Sequence, residues 1–218
     1  MNPCTLPKPA VAYDGDGDRW MDIHRRFLGE TKEREPDVVI LGDSMMSQLE
    51  QRGVWRDVFI PMHALNFSIV GDQIQQVLWR IQNGELDNIK PKVVVLYAGE
   101  PNLRCVDPQK VSEGSIEAVK AIREKQPDAF ILVQEILPRG LNPNPLRDSI
   151  EQYNDLLRKA LHNVPSCKVV PVGDDIVKPD GTISHADLYD WYYPTNDGYL
   201  KALGPLINEL KSILQRCM

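Results

Sequence analysis

The sequence predicts an α/β protein in which a five-stranded parallel sheet lies between two layers of helices. Two observations lead to this fold class. Five short apolar runs have the length and composition of strands that are buried on both faces. Amphipathic helical patterns lie between them, and strands that alternate with helices pair in parallel through right-handed crossovers. The apolar runs span residues 37–41, 63–70, 93–99, 129–133 and 167–172.

The segments between the strands carry apolar residues three and four positions apart, which places them on one face of a helix. Residues 72–81 show this spacing, with Ile74, Val77, Leu78 and Ile81 on one face. The same pattern predicts a leading helix over about 19–30 and further helices over residues 112–125, 146–162 and 200–214.

Composition and charge are those of an ordinary globular protein. The 25 Lys and Arg residues against 31 Asp and Glu give a net charge of −6, and no basic run stands out, so nucleic-acid binding has no electrostatic support. No apolar run approaches the ~20 residues of a membrane span, and the N-terminus lacks the apolar core of a signal peptide. We expect one cytoplasmic domain over residues 1–218, in which residues 1–36 form an N-terminal extension and the leading helix.

Metal and cofactor sites are not indicated. The cysteines are scattered, form no CxxC pair and have no histidine at metal-ligand spacing, as in a cytosolic protein with reduced thiols. They are Cys4, Cys105, Cys167 and Cys217. The segment 14–18 (DGDGD) is similar to the start of a calcium loop, but Arg19 and Arg25 stand where such a loop needs glycine and glutamate.

A Gly42-Asp43-Ser44 tripeptide directly follows the first strand, where the chain opens a helix or turn. Ligands of open α/β sheets bind at the carboxyl ends of the strands, so a serine at this point faces the binding crevice and its N–H can point at an anion. The same serine could instead only cap the next helix. The tripeptide alone leaves both interpretations open.

Later segments favour a functional site at this edge. Gly71 ends the second strand block, and the segment 99–102 (Gly-Glu-Pro-Asn) follows the third strand. Asp190 lies late in the chain, where an acid can return to the same edge.

This pattern resembles the SGNH (GDSL) hydrolases. The resemblance is closest to the α subunits of intracellular platelet-activating factor acetylhydrolase, and it covers residues 2–215. The segments that carry it are DRWMDIHRRF, EPDVVILGDSM, HALNFSIVGD, LPRGLNPNPLR and DGTISHADLYD. It implies a flavodoxin-like SGNH hydrolase fold, release of the sn-2 acetyl group of platelet-activating factor, dimers of α subunits, and docking on a WD-repeat propeller, the lissencephaly protein.

The resemblance assigns roles to five positions of the site. Ser44 matches the nucleophile, Asp190 the triad acid and Gly71 the oxyanion glycine. Two positions depart from the family. Tyr193 stands where the triad histidine belongs, and Pro101 stands where the oxyanion asparagine belongs.

The two departures remove the general base and one oxyanion donor. An imidazole accepts and returns a proton near neutral pH, whereas a phenol titrates near ~10 and has little basicity. Loss of a triad member costs ~10⁴ to 10⁶ in rate. Pro101 has neither an amide side chain nor an N–H, and loss of an oxyanion donor costs ~10² to 10³. Asn102 lies one position too far along to match the family's asparagine.

Further changes surround the same site. Ser68 and Val70 replace glycines of the family's second block, and the β-branched Val70 resists a positive φ. Glu100 places a carboxylate beside the oxyanion position, where it opposes negative charge. Met45 and Tyr192 are placed to crowd an acyl pocket.

Three functional hypotheses follow. The first is an inactive or severely impaired homologue that acts through homo- or heterodimerisation and a WD-repeat partner. The second is an active acetyl-ester hydrolase in which Ser44 and Asp190 use a substitute base. His185 is the candidate for this base, because it lies close to Asp190 in the sequence. The third is a binding module that holds a lipid or ester in the old cleft without turnover. The remaining histidines, His24, His63 and His162, are interpreted as structural or surface residues.

Overall fold

The chain folds around a five-stranded parallel sheet, as predicted. The strands are β1 (Val38–Gly42), β2 (Ala64–Ser68), β3 (Val93–Tyr97), β4 (Phe130–Gln134) and β5 (Cys167–Val170). They lie in the order β2-β1-β3-β4-β5, and each neighbouring pair is parallel. The computed structural model describes residues 1–11 and 17–216, so most of segment 14–18, and Cys217, lie outside the described residues.

Eight helices flank the sheet in the described part of the chain. They are α1 (Arg19–Glu33), α2 (Ser44–Leu49), α3 (Ile74–Arg80), α4 (Glu100–Leu103), α5 (Pro108–Lys125), α6 (Pro145–Leu161), α7 (Asn196–Ala202) and α8 (Gly204–Arg216). Helix α5 packs against both α3 and α6. Short helical turns occur at Pro3–Thr5, Trp55–Phe59, Ile60–Met62 and Ile81–Glu85.

Strands β1, β2 and β3 are buried along their whole length, which explains why β1 and β3 are continuous apolar runs. Strand β2 is mainly apolar but also buries the polar side chains of Asn66 and Ser68. Gly42, the last residue of β1, pairs with Ser68 on β2 and with Tyr97 on β3. The three strands therefore end level with one another. The loops that follow them begin at the same edge of the sheet.

Two helix predictions differ from the structure. The helix predicted from residue 112 begins at Pro108, because Asp107 caps it by accepting a hydrogen bond from the Gln109 N–H at 2.9 Å. The single helix predicted over 200–214 is wrong. It is divided between α7 and α8 at Leu203, because Pro205 has no N–H and restricts the residue before it.

A buried ionic network anchors α3 beneath the ends of β1 and β2. The guanidinium of Arg80, which is 0% exposed, donates to Asp72 at 2.9 Å, to Glu85 at 2.5 Å and to the Phe67 carbonyl at 2.9 Å. Trp20 donates to Asp72 at 2.7 Å and so ties α1 to the same network. Burial raises the pKa of Asp72 to about 6, although Arg80 and Trp20 lower it.

Candidate functional site

Ser44 and Gly71, which the sequence places at one edge of the sheet, are in direct contact. Ser44 is the first residue of α2, and Asp43 caps this helix by accepting a hydrogen bond from the Met45 N–H at 3.1 Å. Gly71 has a φ of +82°, a value that glycine adopts without strain, and its N–H donates to the Ser44 hydroxyl oxygen at 2.8 Å. The Gly71 N–H therefore lies beside the Ser44 hydroxyl, where the family resemblance predicts an oxyanion donor.

Asp190 and Tyr193 lie close together but form no proton relay with Ser44. The carboxylate of Asp190 accepts hydrogen bonds from the backbone N–H groups of Tyr192 and Tyr193, at 3.0 and 2.7 Å. The Tyr193 ring stacks on Tyr189 with 6.3 Å between centroids and meets Tyr192 edge-on at 4.5 Å. Within the described residues, the Gly71 N–H is the hydrogen-bond partner of the Ser44 hydroxyl, and Tyr193 is not.

The four histidines are not among the hydrogen-bond partners of Ser44 in the described part of the chain. Three of them have other partners: His24 contacts Glu85, His63 contacts Asp37, and His162 contacts Asn163. His185, the candidate suggested by its distance from Asp190 in sequence, is exposed. Across the described residues, no histidine makes a hydrogen bond with Ser44.

Pro101 and Asn102 lie in α4, which starts directly after Gly99 with its φ of +115°. Asn102 is buried, and its amide oxygen accepts a hydrogen bond from the Ile74 N–H at 2.9 Å. Its amide nitrogen donates to Gln75 at 3.0 Å. Asn102 therefore holds the start of α3, and its amide is not free to replace the donor that Pro101 lacks.

Glu100 is a buried carboxylate with two partners. It is 1% exposed, and it accepts hydrogen bonds from the Tyr192 hydroxyl at 2.7 Å and from Arg104 at 3.1 Å. The negative charge expected at this position is therefore present but paired. Burial and the hydrogen bond to Glu100 raise the pKa of Tyr192 far above its usual range.

Arg139 is a site residue that sequence reasoning missed. It is buried, it donates to the Tyr192 carbonyl and to the Tyr97 hydroxyl, and its guanidinium carbon lies 4.3 Å from the centroid of the Tyr192 ring. Its sequence segment carries no signal of this role. Arg104 could have been recognised, because it lies four residues after Glu100, the spacing of a helical ion pair.

Asp43 carries the most perturbed carboxyl of the site. Burial, and then the nearby charge of Glu100, raise the pKa of Asp43 to about 8, and one of its oxygens has no hydrogen-bond partner among the described residues. The folded chain therefore keeps a proton on Asp43 between about pH 4 and pH 8, whereas the unfolded chain releases it.

We predict that Asp43→Asn removes part of the pH dependence of stability. Because the folded pKa is raised, wild-type stability falls as pH rises toward 8, by at most about 1.4 kcal/mol per pH unit from this group. Asparagine stays neutral and can still accept from the Met45 N–H. Urea unfolding at pH 5 to 8 should show the variant gaining stability relative to wild type as pH rises. Asp57→Asn, at an exposed carboxyl, is the control, and parallel curves for Asp43→Asn would contradict the prediction.

Residues 40–201 match the GDSL-like lipase/acylhydrolase family. The chain belongs to this family, in keeping with its parallel sheet and its Gly-Asp-Ser turn. Its relatives include platelet-activating factor acetylhydrolase IB subunit alpha1 of Homo sapiens, 42% identical over 217 residues, which cover 100% of this chain and 91% of the relative. The IB subunit beta homolog of Drosophila melanogaster is also 42% identical, over 98% of this chain and 94% of its own.

Solved structures support the same fold. A GDSL-like lipase from Bacteroides thetaiotaomicron superposes with a TM-score of 0.68 at 15% identity, covering 89% of this chain and 98% of its own. A lipase from a goat rumen metagenome gives a TM-score of 0.55 at 15% identity, over 82% and 97% of the two chains.

The described residues contain neither a membrane-spanning helix nor a cluster of metal-ligating side chains. None of their helices has the length and apolar character needed to cross a membrane. They contain no cluster of three or more His, Cys, Asp or Glu side chains that could hold a metal ion.

Proposed function

We propose that this chain is a catalytically inactive or severely impaired relative of the platelet-activating factor acetylhydrolase subunits, and that it acts by dimerising and binding a partner. The observation that carries the proposal is the environment of Ser44. Its hydroxyl keeps the contact with the Gly71 N–H, yet no imidazole is among its hydrogen-bond partners in the described residues. A serine without a base is a poor nucleophile at neutral pH.

The altered positions act together against acyl transfer. The Asp190 carboxylate accepts hydrogen bonds from the backbone of its own loop. Pro101 offers no donor, and the buried carboxylate of Glu100 directly precedes it in the chain. Since an acyl-transfer transition state develops negative charge on the carbonyl oxygen, a carboxylate there is unfavourable. These features support loss of catalysis rather than a rearranged catalytic site.

The retained fold supports a role in assembly. The relatives are named as subunits, and the similarity extends over nearly the whole length of both chains. We propose a homodimer, or a heterodimer with a related α subunit, that binds a WD-repeat propeller of the lissencephaly type in the cytoplasm. The free thiols of Cys4, Cys105 and Cys167 are compatible with a reducing compartment.

Labelling with a fluorophosphonate tests the catalytic half of the proposal. We expect wild-type protein to label at Ser44 at least about 10³-fold more slowly than an active serine esterase, because a triad member is missing. The human alpha1 relative serves as the positive control and Ser44→Ala as the blank. Stoichiometric labelling that Ser44→Ala abolishes would instead favour an active ester hydrolase with a substitute base.

The assembly half needs its own measurement. Size-exclusion chromatography with light scattering should give the mass of two chains, and immobilised WD-repeat propeller should retain the protein. A monomer at micromolar concentration that the propeller does not retain would contradict this half. Stabilisation of the protein against heat by acetylated phospholipid would point to the binding-module hypothesis.

A further inference from the structure

Glu100 and Tyr192 join two segments that are far apart in the chain. Glu100 lies in the first turn of α4, directly after β3, while Tyr192 belongs to the loop of residues 187–194 that precedes α7. The hydrogen bond from the Tyr192 hydroxyl to the Glu100 carboxylate is 2.7 Å long. Hydrogen bonds to charged groups are stronger than neutral ones, and burial strengthens them further.

The Tyr192 ring is fixed on more than one side. The guanidinium carbons of Arg139 and Arg104 lie 4.3 and 5.2 Å from its centroid, within the range of cation–π attraction. Arg139 also donates to the carbonyl of Tyr192, and Asp190 accepts from its N–H at 3.0 Å. The ring therefore cannot leave Glu100 without breaking several contacts.

Ser44 and Glu100 lie in the segments that follow β1 and β3, at the same edge of the sheet, and both are nearly buried. Ser44 is 7% exposed and Glu100 is 1% exposed. A cavity of about 550 Å³ borders Gly71. The residues that line it belong to the N-terminal segment, α1, α2, the end of β2, the loop before α3 and α3. Ser44, Glu100 and Tyr192 are not among its lining residues. This cavity therefore lies beside Gly71, and the Ser44 side chain does not line it.

We infer that the Tyr192–Glu100 hydrogen bond is an autoinhibitory latch, which holds the 187–194 loop against α4 and excludes ester-sized ligands from Ser44. The latch is separate from the loss of the catalytic base. It acts on access to the site, whereas Tyr193 and Pro101 affect proton transfer and oxyanion binding.

Accessibility of a thiol at position 44 tests the latch without relying on catalysis. Ser44→Cys protein is treated with iodoacetamide, and alkylation at position 44 is followed by peptide mass spectrometry. We expect Tyr192→Phe to speed this alkylation about 10- to 100-fold, because a hydrogen bond to a charged group no longer opposes opening. Tyr189→Phe, a neighbouring tyrosine outside the latch, is the matched control and should leave the rate unchanged.

Cys4 monitors the fold in the same samples, because it is 1% exposed and should stay unlabelled unless the protein unfolds. Equal alkylation at position 44 with and without Tyr192→Phe, while Cys4 stays protected, would overturn the latch. That result would leave the proposed loss of catalysis standing. Conversely, strong fluorophosphonate labelling of wild-type Ser44 would contradict the proposed function on independent grounds.

Discussion

Arg80→Met is expected to destabilise the protein by about 3–5 kcal/mol, the usual cost of leaving a buried charge without its partner. Methionine has a similar length but carries neither the charge nor the donors. Asp72 and Glu85 would then remain as two buried carboxylates at 1% and 0% side-chain exposure. The Phe67 carbonyl at the end of β2 would also lose a donor. Urea unfolding followed by tryptophan fluorescence measures the effect.

Arg25→Met is the matched control for Arg80→Met. Arg25 pairs with Asp22 on α1, but both side chains are more than half exposed. Exposed pairs contribute about 0–1 kcal/mol, so this variant should unfold close to wild type. Adding Asp72→Asn and Glu85→Gln to Arg80→Met should recover part of the loss. A loss below about 1 kcal/mol for Arg80→Met would show that the network is not energetically important.

The sheet could be predicted from the sequence because its central strands are buried on both faces, although the edge strand β5 is only partly buried. Strands β1 and β3 are uninterrupted apolar runs, β2 is mainly apolar, and the predicted runs differ from the observed strands by a few residues at their ends. The division of the last helix at Leu203 was missed because the apolar stripe continues through it. The Gly204-Pro205 dipeptide was the signal that should have outweighed the stripe.

The site could be predicted only in part. The contact between Ser44 and Gly71 could be predicted, because each residue follows a strand of the parallel sheet and β1 and β2 end at the same level. Arg104 can be recognised as a partner of Glu100 from its i+4 spacing. The other partner, Tyr192, follows from no motif, because it reaches Glu100 from a loop whose path depends on tertiary structure, as does the packing of Arg139 on the Tyr192 ring. The sequence shows that Asn102 lies one position away from the family's oxyanion asparagine. It does not show that Asn102 holds the start of α3, because that contact joins two segments that are distant in the chain.

The contacts of the site suggest why its residues cannot be restored one at a time. Two of the altered residues now make other contacts: Tyr193 stacks on Tyr189, and Glu100 binds Arg104 and Tyr192. A histidine at position 193 would regain a base but would lose the ring stack. The Glu100–Tyr192 hydrogen bond joins α4 to the 187–194 loop, and the Tyr193–Tyr189 stack lies within that loop.

We predict that Tyr193→His combined with Pro101→Asn raises Ser44-dependent hydrolysis of a small acetyl ester by about 10²-fold, well below the full cost of losing both a triad member and an oxyanion donor. The gain should be limited because the Glu100 carboxylate still directly precedes the restored asparagine and Val70 still replaces a glycine. Adding Tyr192→Phe should increase the rate further if the latch restricts access. The measurement is release of p-nitrophenol from p-nitrophenyl acetate.

Two controls make this restoration specific. Ser44→Ala in the same background must remove the gain, since hydrolysis by surface groups would persist without the serine. Tyr189→His with Pro101→Asn introduces an imidazole four residues away, on the ring that stacks on Tyr193, and should give no gain. If the Tyr193→His and Pro101→Asn pair gives no more activity than this control, the loss of catalysis extends beyond the base and the oxyanion donor. Glu100 would then be the next residue to change, because its carboxylate opposes the charge that the transition state develops.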